Sequence, residues 1–176
     1  MADTESDILS ESVLLEEIRA RYTAARDHAR DWRTEARDTF NMYSGNQWSK
    51  DDENKLIEQG RVPVTFNRIS VYVDAVIGYE VNNRQETRYI PRTPGDAKVN
   101  EMLTEAANYF RDECDAEFEE SDAFRDMIIS GMGWTNDRLS DEANPDFDLV
   151  RDRVDPLSML WDPSARKPNL ADARYV

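Results

Sequence analysis

Residues 124–154 read FRDMIISGMGWTNDRLSDEANPDFDLVRDRV, and this stretch decides the fold class. Phe124, Met127 and Ile128 share one helix face. Gly131-Met-Gly133 then stops the helix. Beyond the stop, Trp134 to Leu139 and Phe147 to Val154 alternate as strands do, and the joining Ser140-Asp-Glu-Ala-Asn-Pro-Asp146 is rich in turn formers. That pattern predicts a β-hairpin. A helix feeding a hairpin, with further helices upstream, specifies an α+β fold.

Upstream, Val99, Met102, Leu103, Ala106, Tyr109 and Phe110 make another helix face, opened by Asp96 and broken near Asp115 or Ser121. Arg84 to Arg92 alternates in part and reads as a strand, ended by Pro91 and the Thr93-Pro-Gly95 turn. Ile69, Tyr72, Val73, Val76 and Ile77 step as a buried helix face with Asn67 as N-cap. Arg61 to Asn67 is extended by its proline and β-branched residues. Lys50 to Gln59 reads as a polar helix closed by Gly60.

Furthest upstream, Leu14, Ile18, Tyr22, Ala25, Ala29, Trp32, Ala36, Phe40 and Tyr43 recur every three or four residues. They predict one long N-terminal helix, stopped by Gly45, whose stripe faces a core. Residues 1–12 lack periodicity and are expected to be disordered, leaving 13–176 as one α+β region of helices on a small, mostly antiparallel sheet. Downstream of the hairpin, Asp155-Pro156 breaks the chain. Leu157 to Trp161 reads as a short strand, Asp162-Pro163 as a turn, and Ala173 to Val176 as the start of another strand.

Composition narrows function. The 176 residues carry 22 Lys and Arg against 37 Asp and Glu, a net charge of −15. Four Trp, seven Tyr and six Phe supply a core that disordered chains lack. No apolar run approaches the roughly 20 residues of a membrane span. One cysteine, Cys114, and one histidine, His28, exclude an internal disulfide and any site rich in either residue. No glycine loop of phosphate-binding type is present. Carboxylates such as Asp112, Glu113 and Glu117 offer a magnesium site, although the run Glu113 to Asp122 reads first as a solvated helix face. No catalytic constellation, cofactor site or metal site is assigned.

The charge is uneven. Residues 1–60 carry −6, residues 61–100 carry +2 and residues 101–176 carry −11. The middle holds Arg61, Arg68, Arg84, Arg88 and Arg92 beside Tyr72, Tyr79 and Tyr89. Five arginines over some thirty residues, with acids among them, are too sparse for tight phosphate binding. Arginine favours bidentate carboxylate pairing at interfaces, so these residues are expected to meet acids on another element or another subunit.

The motifs around this middle carry a resemblance. Tyr43-Ser-Gly-Asn-Gln-Trp48, Gly60-Arg-Val-Pro-Val-Thr-Phe-Asn67, Ile69 with Val73, and Gly78 with Asn82 and Asn83 follow one another in order. So do the Pro91 strand end, the Phe124 to Gly133 helix and stop, the hairpin, Val154-Asp-Pro156, Trp161-Asp-Pro-Ser-Ala165 and Asp172-Ala-Arg-Tyr-Val176. Over about residues 40–176 the chain resembles portal proteins of short-tailed double-stranded-DNA phages. The resemblance implies the outer wing of a ring subunit, in a homo-oligomeric dodecamer at one capsid vertex. Such a ring would meet terminase, capsid protein and tail adaptor and pass double-stranded DNA without binding it specifically. It also implies a virion location, host cytoplasm during assembly, and no catalytic residues. Stem, clip and crown are expected to lie outside these 176 residues. Tyr43, Trp48, Arg61, Asn67, Arg68, Arg84, Arg88, Arg92 and Asp162 are the residues expected to carry subunit contacts or structural motifs. Two other readings stand beside it: an acidic interaction module that mimics DNA as a decoy, and a carboxylate–metal hydrolase.

Overall fold

The computed structural model describes residues 2–84, 88–141, 145, 147–167 and 169–176. Among them the elements run α1 (Ala2–His28), α2 (Arg30–Tyr43), α3 (Lys50–Glu58), α4 (Ile69–Asn82), α5 (Ala97–Glu113), α6 (Ala116–Ser130), β1 (Trp134–Ser140) and β2 (Asp148–Val154), with a 3₁₀ turn at Pro94–Asp96. The fold is α+β. The chain divides into two compact units, residues 1–37 with 157–176, and residues 38–156.

In the first unit, α1 begins at Ala2, so residues 2–12 lie in helix despite their lack of an apolar stripe. The long helix expected from Leu14 to Tyr43 is two helices meeting at Ala29, and the backbone ladder survives the junction. Ala29 N–H donates to Ala25 O at 3.0 Å, and Arg33 N–H donates to Ala29 O at 2.9 Å. Only part of the stripe is core. Ala25, Ala29 and Ala36 are buried, whereas Leu14, Ile18 and Tyr22 are exposed. The alanines leave room for the returning segment 157–176. Its Trp161 ring stands edge-on to Trp32, with centroids 5.4 Å apart, a preferred aromatic geometry. Arg33 donates to Met159 O at 2.8 Å.

Among the described residues no strand forms in that returning segment, contrary to the reading of Leu157–Trp161 and Ala173–Val176. Asp162, just past the first stretch, donates its N–H to Tyr175 O at 3.1 Å. The Asp162 side chain takes the donors a ladder would otherwise use. It accepts from the backbone N–H of Ser164 at 2.9 Å and of Arg174 at 3.2 Å, and from Arg174 Nε at 2.8 Å.

In the second unit, β1 and β2 pair antiparallel, with Trp134 opposite Val154 and Ser140 opposite Asp148. The helix α6 lies on this hairpin, and α4 and α5 lie on α6. The break between α5 and α6 falls at Asp115, one of the two expected positions, whose φ of 49° turns the chain. Gly131 ends α6 with φ of 84° and donates to Met127 O, a left-handed helix end that glycine favours. The strand expected over Arg84 to Arg92 does not form in its described part. Residues 85–87 lie outside the described residues, and 88–92 are irregular. Tyr89 N–H donates to a side chain, Thr104 Oγ1, rather than to a neighbouring strand.

Candidate subunit interface

The junction of α2, the loop after it and α4 is built by three of the expected residues. Gly45, with φ of 91°, turns the chain after Tyr43. Asn67 then fastens the turn from across the unit. Its Nδ2 donates to Tyr43 O at 2.7 Å, while its Oδ1 accepts from Ser70 N–H at 3.3 Å, capping α4. The Tyr43 hydroxyl donates to Asp74 Oδ1 at 2.9 Å. That hydrogen bond to a carboxylate, with partial burial, raises the pKa of the phenol. Trp48 is exposed and borders a cavity of about 520 Å³ with Asn41, Asn46, Gln47, Pro63 and Thr65.

Pro63 and Thr65 point inward because Arg61 to Asn67 is extended, and its alternate residues point outward. Those outward residues are apolar. Val62 is 79% exposed, Val64 56% and Phe66 81%. A strand on a solvated surface ordinarily turns its polar residues to water, so this segment is inverted. Arg61 and Arg68 flank it, both exposed. Among the described residues neither has a side-chain ion-pair partner. The helix that follows, α4, is apolar around most of its circumference, yet only Ile77 is fully buried. Tyr72 and Tyr79, seven residues apart, are each 72% exposed on its outer side.

The other arginines divide. Arg84 turns inward and pairs with Glu117 of α6, with Ser121 Oγ 3.4 Å away and Phe118 under its guanidinium. Arg88 and Arg92 are exposed on the irregular segment beside α5. Asp162 belongs to the first unit and is 1% exposed. Donation from Arg174, then from Ser164, holds its carboxyl far below the usual carboxylate range. It closes a loop within that unit.

The sequence reading missed a network on α6. The run Glu113 to Asp122 is not simply a wet face. Glu120 accepts from Arg111 at 2.7 Å and also pairs with Arg151 of β2. Arg151 forks onto Asp137 Oδ1 and Oδ2 at 2.6 and 2.7 Å, which lowers the pKa of Asp137 and raises that of Arg151. Arg153 pairs with Asp126, 2% exposed, and its own N–H donates to Glu119 at 2.6 Å. The alternation of Arg151 and Arg153 along β2 was the available signal, since it points two cations at the helix beneath. Among the described residues, no group of three or more His, Cys, Asp or Glu side chains is placed to hold a metal ion, and no helix is long and apolar enough to cross a membrane.

Comparison with known proteins finds a match to the family described as phage P22-like portal protein, over residues 19–176. A portal protein of Helicobacter pylori bacteriophage KHP30 is 25% identical over 134 residues, which are 75% of this chain. The match spans 22% of that relative's length.

Proposed function

Because this chain belongs to the phage P22-like portal protein family, we propose that it forms the wing region of a ring-shaped portal subunit, residues 13–176 folding as that region. The ring stands at one capsid vertex and conducts DNA during packaging and ejection. About a dozen copies close it, and the whole protein meets terminase, capsid protein and a tail adaptor. It resides in the virion and, during assembly, in the host cytoplasm. The reading assigns no catalytic residue and no cofactor.

The observation that carries the proposal is the inverted segment Arg61–Arg68. Two arginines without side-chain ion pairs among the described residues flank three outward apolar side chains. Contiguous exposed apolar surface marks an interaction site, and arginine is suited to pairing with carboxylates across one. The net charge of −15 also suits a conduit, since a body poor in clustered cations gains little from releasing DNA counterions. The test is native mass spectrometry and electron microscopy of the protein expressed from the whole reading frame that encodes the chain. Closed rings are expected. A strictly monomeric protein would overturn the proposal.

A further inference from the structure

We propose that the Arg61–Arg68 face docks on the outer face of α5 in a second copy of the chain. This rests on the subunit reading above and names the partner surface. Val99, Met102, Ala106 and Tyr109 of α5 recur at three- and four-residue steps, the spacing of one helix face. All four are exposed, so among the described residues nothing covers this apolar stripe. One flank is mainly acidic, with Lys98 as its only cation. Glu105, Asp112 and Glu113 are exposed, and among the described residues none has a side-chain partner.

The Arg61–Arg68 face has the opposite character: Val62, Val64 and Phe66 outward, with a cation at either end. Each face supplies what the other lacks. Both combine uncovered apolar surface with unpaired charge, and the signs are complementary. Complementary fields across an interface select partners and fix register. Both faces belong to the same compact unit and both are open to solvent, so they meet only between copies. The two faces also differ from each other. A contact between unlike faces is heterologous, and repeated it propagates head to tail into a ring or a filament. Like faces would instead close a two-fold dimer.

Cysteine cross-linking tests this on the full 176-residue chain. In a Cys114→Ser background, Phe66→Cys and Met102→Cys chains are prepared separately and mixed under mild oxidation. Both positions are exposed, so the fold should survive, which circular dichroism checks. The mixture should yield disulfide dimers roughly tenfold above either chain alone, because only unlike faces are apposed. Raising salt from about 0.1 to about 1 M shortens the screening length from about 10 to about 3 Å and should lower the yield. A second pair removes dependence on the cysteines. Arg61→Glu/Arg68→Glu chains and Glu105→Arg/Asp112→Arg chains should each lose self-association by sedimentation, and mixing them should restore it. Phe66→Cys chains that cross-link to themselves as readily as to Met102→Cys chains would overturn the proposal, as would a mixture without cross-links. Rings from the whole reading frame without this cross-link would sink the pairing and leave the subunit reading standing. Absence of rings would sink the subunit reading.

Discussion

The α-carbon of Gly133 lies against the backbone of Ala123, so close that a Cβ on Gly133 would stand 2.1 Å from the Ala123 carbonyl oxygen. This contact seats the start of the hairpin on α6. A substituent there displaces backbone, not a flexible side chain. Gly133→Ala should therefore cost roughly 1–3 kcal/mol, the range of overpacked sites. Gly78 lies inside α4 with nothing within 4 Å of its would-be Cβ. Gly78→Ala should stabilise by about 0.5–1 kcal/mol, because glycine is a poor helix residue. Thermal unfolding should show melting temperatures moving in opposite directions. A shared direction would refute the reading of Gly133 as a packing contact.

A second expectation concerns Asp126 and Arg153, which join α6 to β2 through 2.9 Å and shorter contacts. Removing the buried carboxylate leaves Arg153 without its principal acceptor. Asp126→Ala should destabilise by roughly 1–3 kcal/mol. Arg153→Ala should cost at least as much, because it leaves the buried Asp126 carboxylate without its cationic partner. The double variant should be less damaged than the sum of the two, by about 0.5 kcal/mol or more. Strict additivity in urea titrations would show that the pair is uncoupled.

The Asp162 loop predicts a pH dependence. Arg174, and then Ser164, depress the folded pKa of Asp162, whereas the unfolded side chain titrates near about 3.9. A depressed carboxylate contributes stability that is fully present above the unfolded value and is lost as pH falls through the folded one. The contribution should thus be level from neutral pH down to about pH 4 and decline only in stronger acid. Asp162→Asn should melt lower than the parent at pH 7, and the difference should shrink below that point. A constant difference across the acid range would mean that ionisation of Asp162 is immaterial.

The hairpin was legible because periodicity two, turn residues and a glycine stop coincide in residues 131–154. A break was legible as a lapse in the apolar face, at either Asp115 or Ser121, and it falls at Asp115. Strand pairing elsewhere was not. Leu157–Trp161 alternates, yet strand character requires a partner ladder, and the Asp162 side chain just after it takes the Ser164 and Arg174 N–H groups. The long N-terminal stripe was legible as helix but not as core, since Leu14, Ile18 and Tyr22 have the spacing of Ala25 and Ala29 without their burial. Among the site residues, the structural part played by Asn67 could be read from its capping chemistry. The inward turn of Arg84 could not, because it depends on Glu117 arriving from a helix more than thirty residues away.

The last expectation separates a contact arginine from a merely charged surface. Arg68 precedes α4 beside Phe66, and Arg19 lies exposed on α1. Reversing either changes the net charge equally, so any effect of overall repulsion on assembly is the same for both. Charges beyond a screening length of about 8 Å at physiological salt contribute little. A larger effect at one position must therefore come from a neighbour within that distance. If Arg68 faces carboxylates of an adjoining subunit, Arg68→Glu places like charges together and should reduce ring yield in native mass spectrometry far more than Arg19→Glu. Both variants should melt within about 0.5 kcal/mol of the parent, as exposed substitutions usually do, so lost assembly cannot be ascribed to unfolding. Equal ring yields from the two variants would remove Arg68 from the interface.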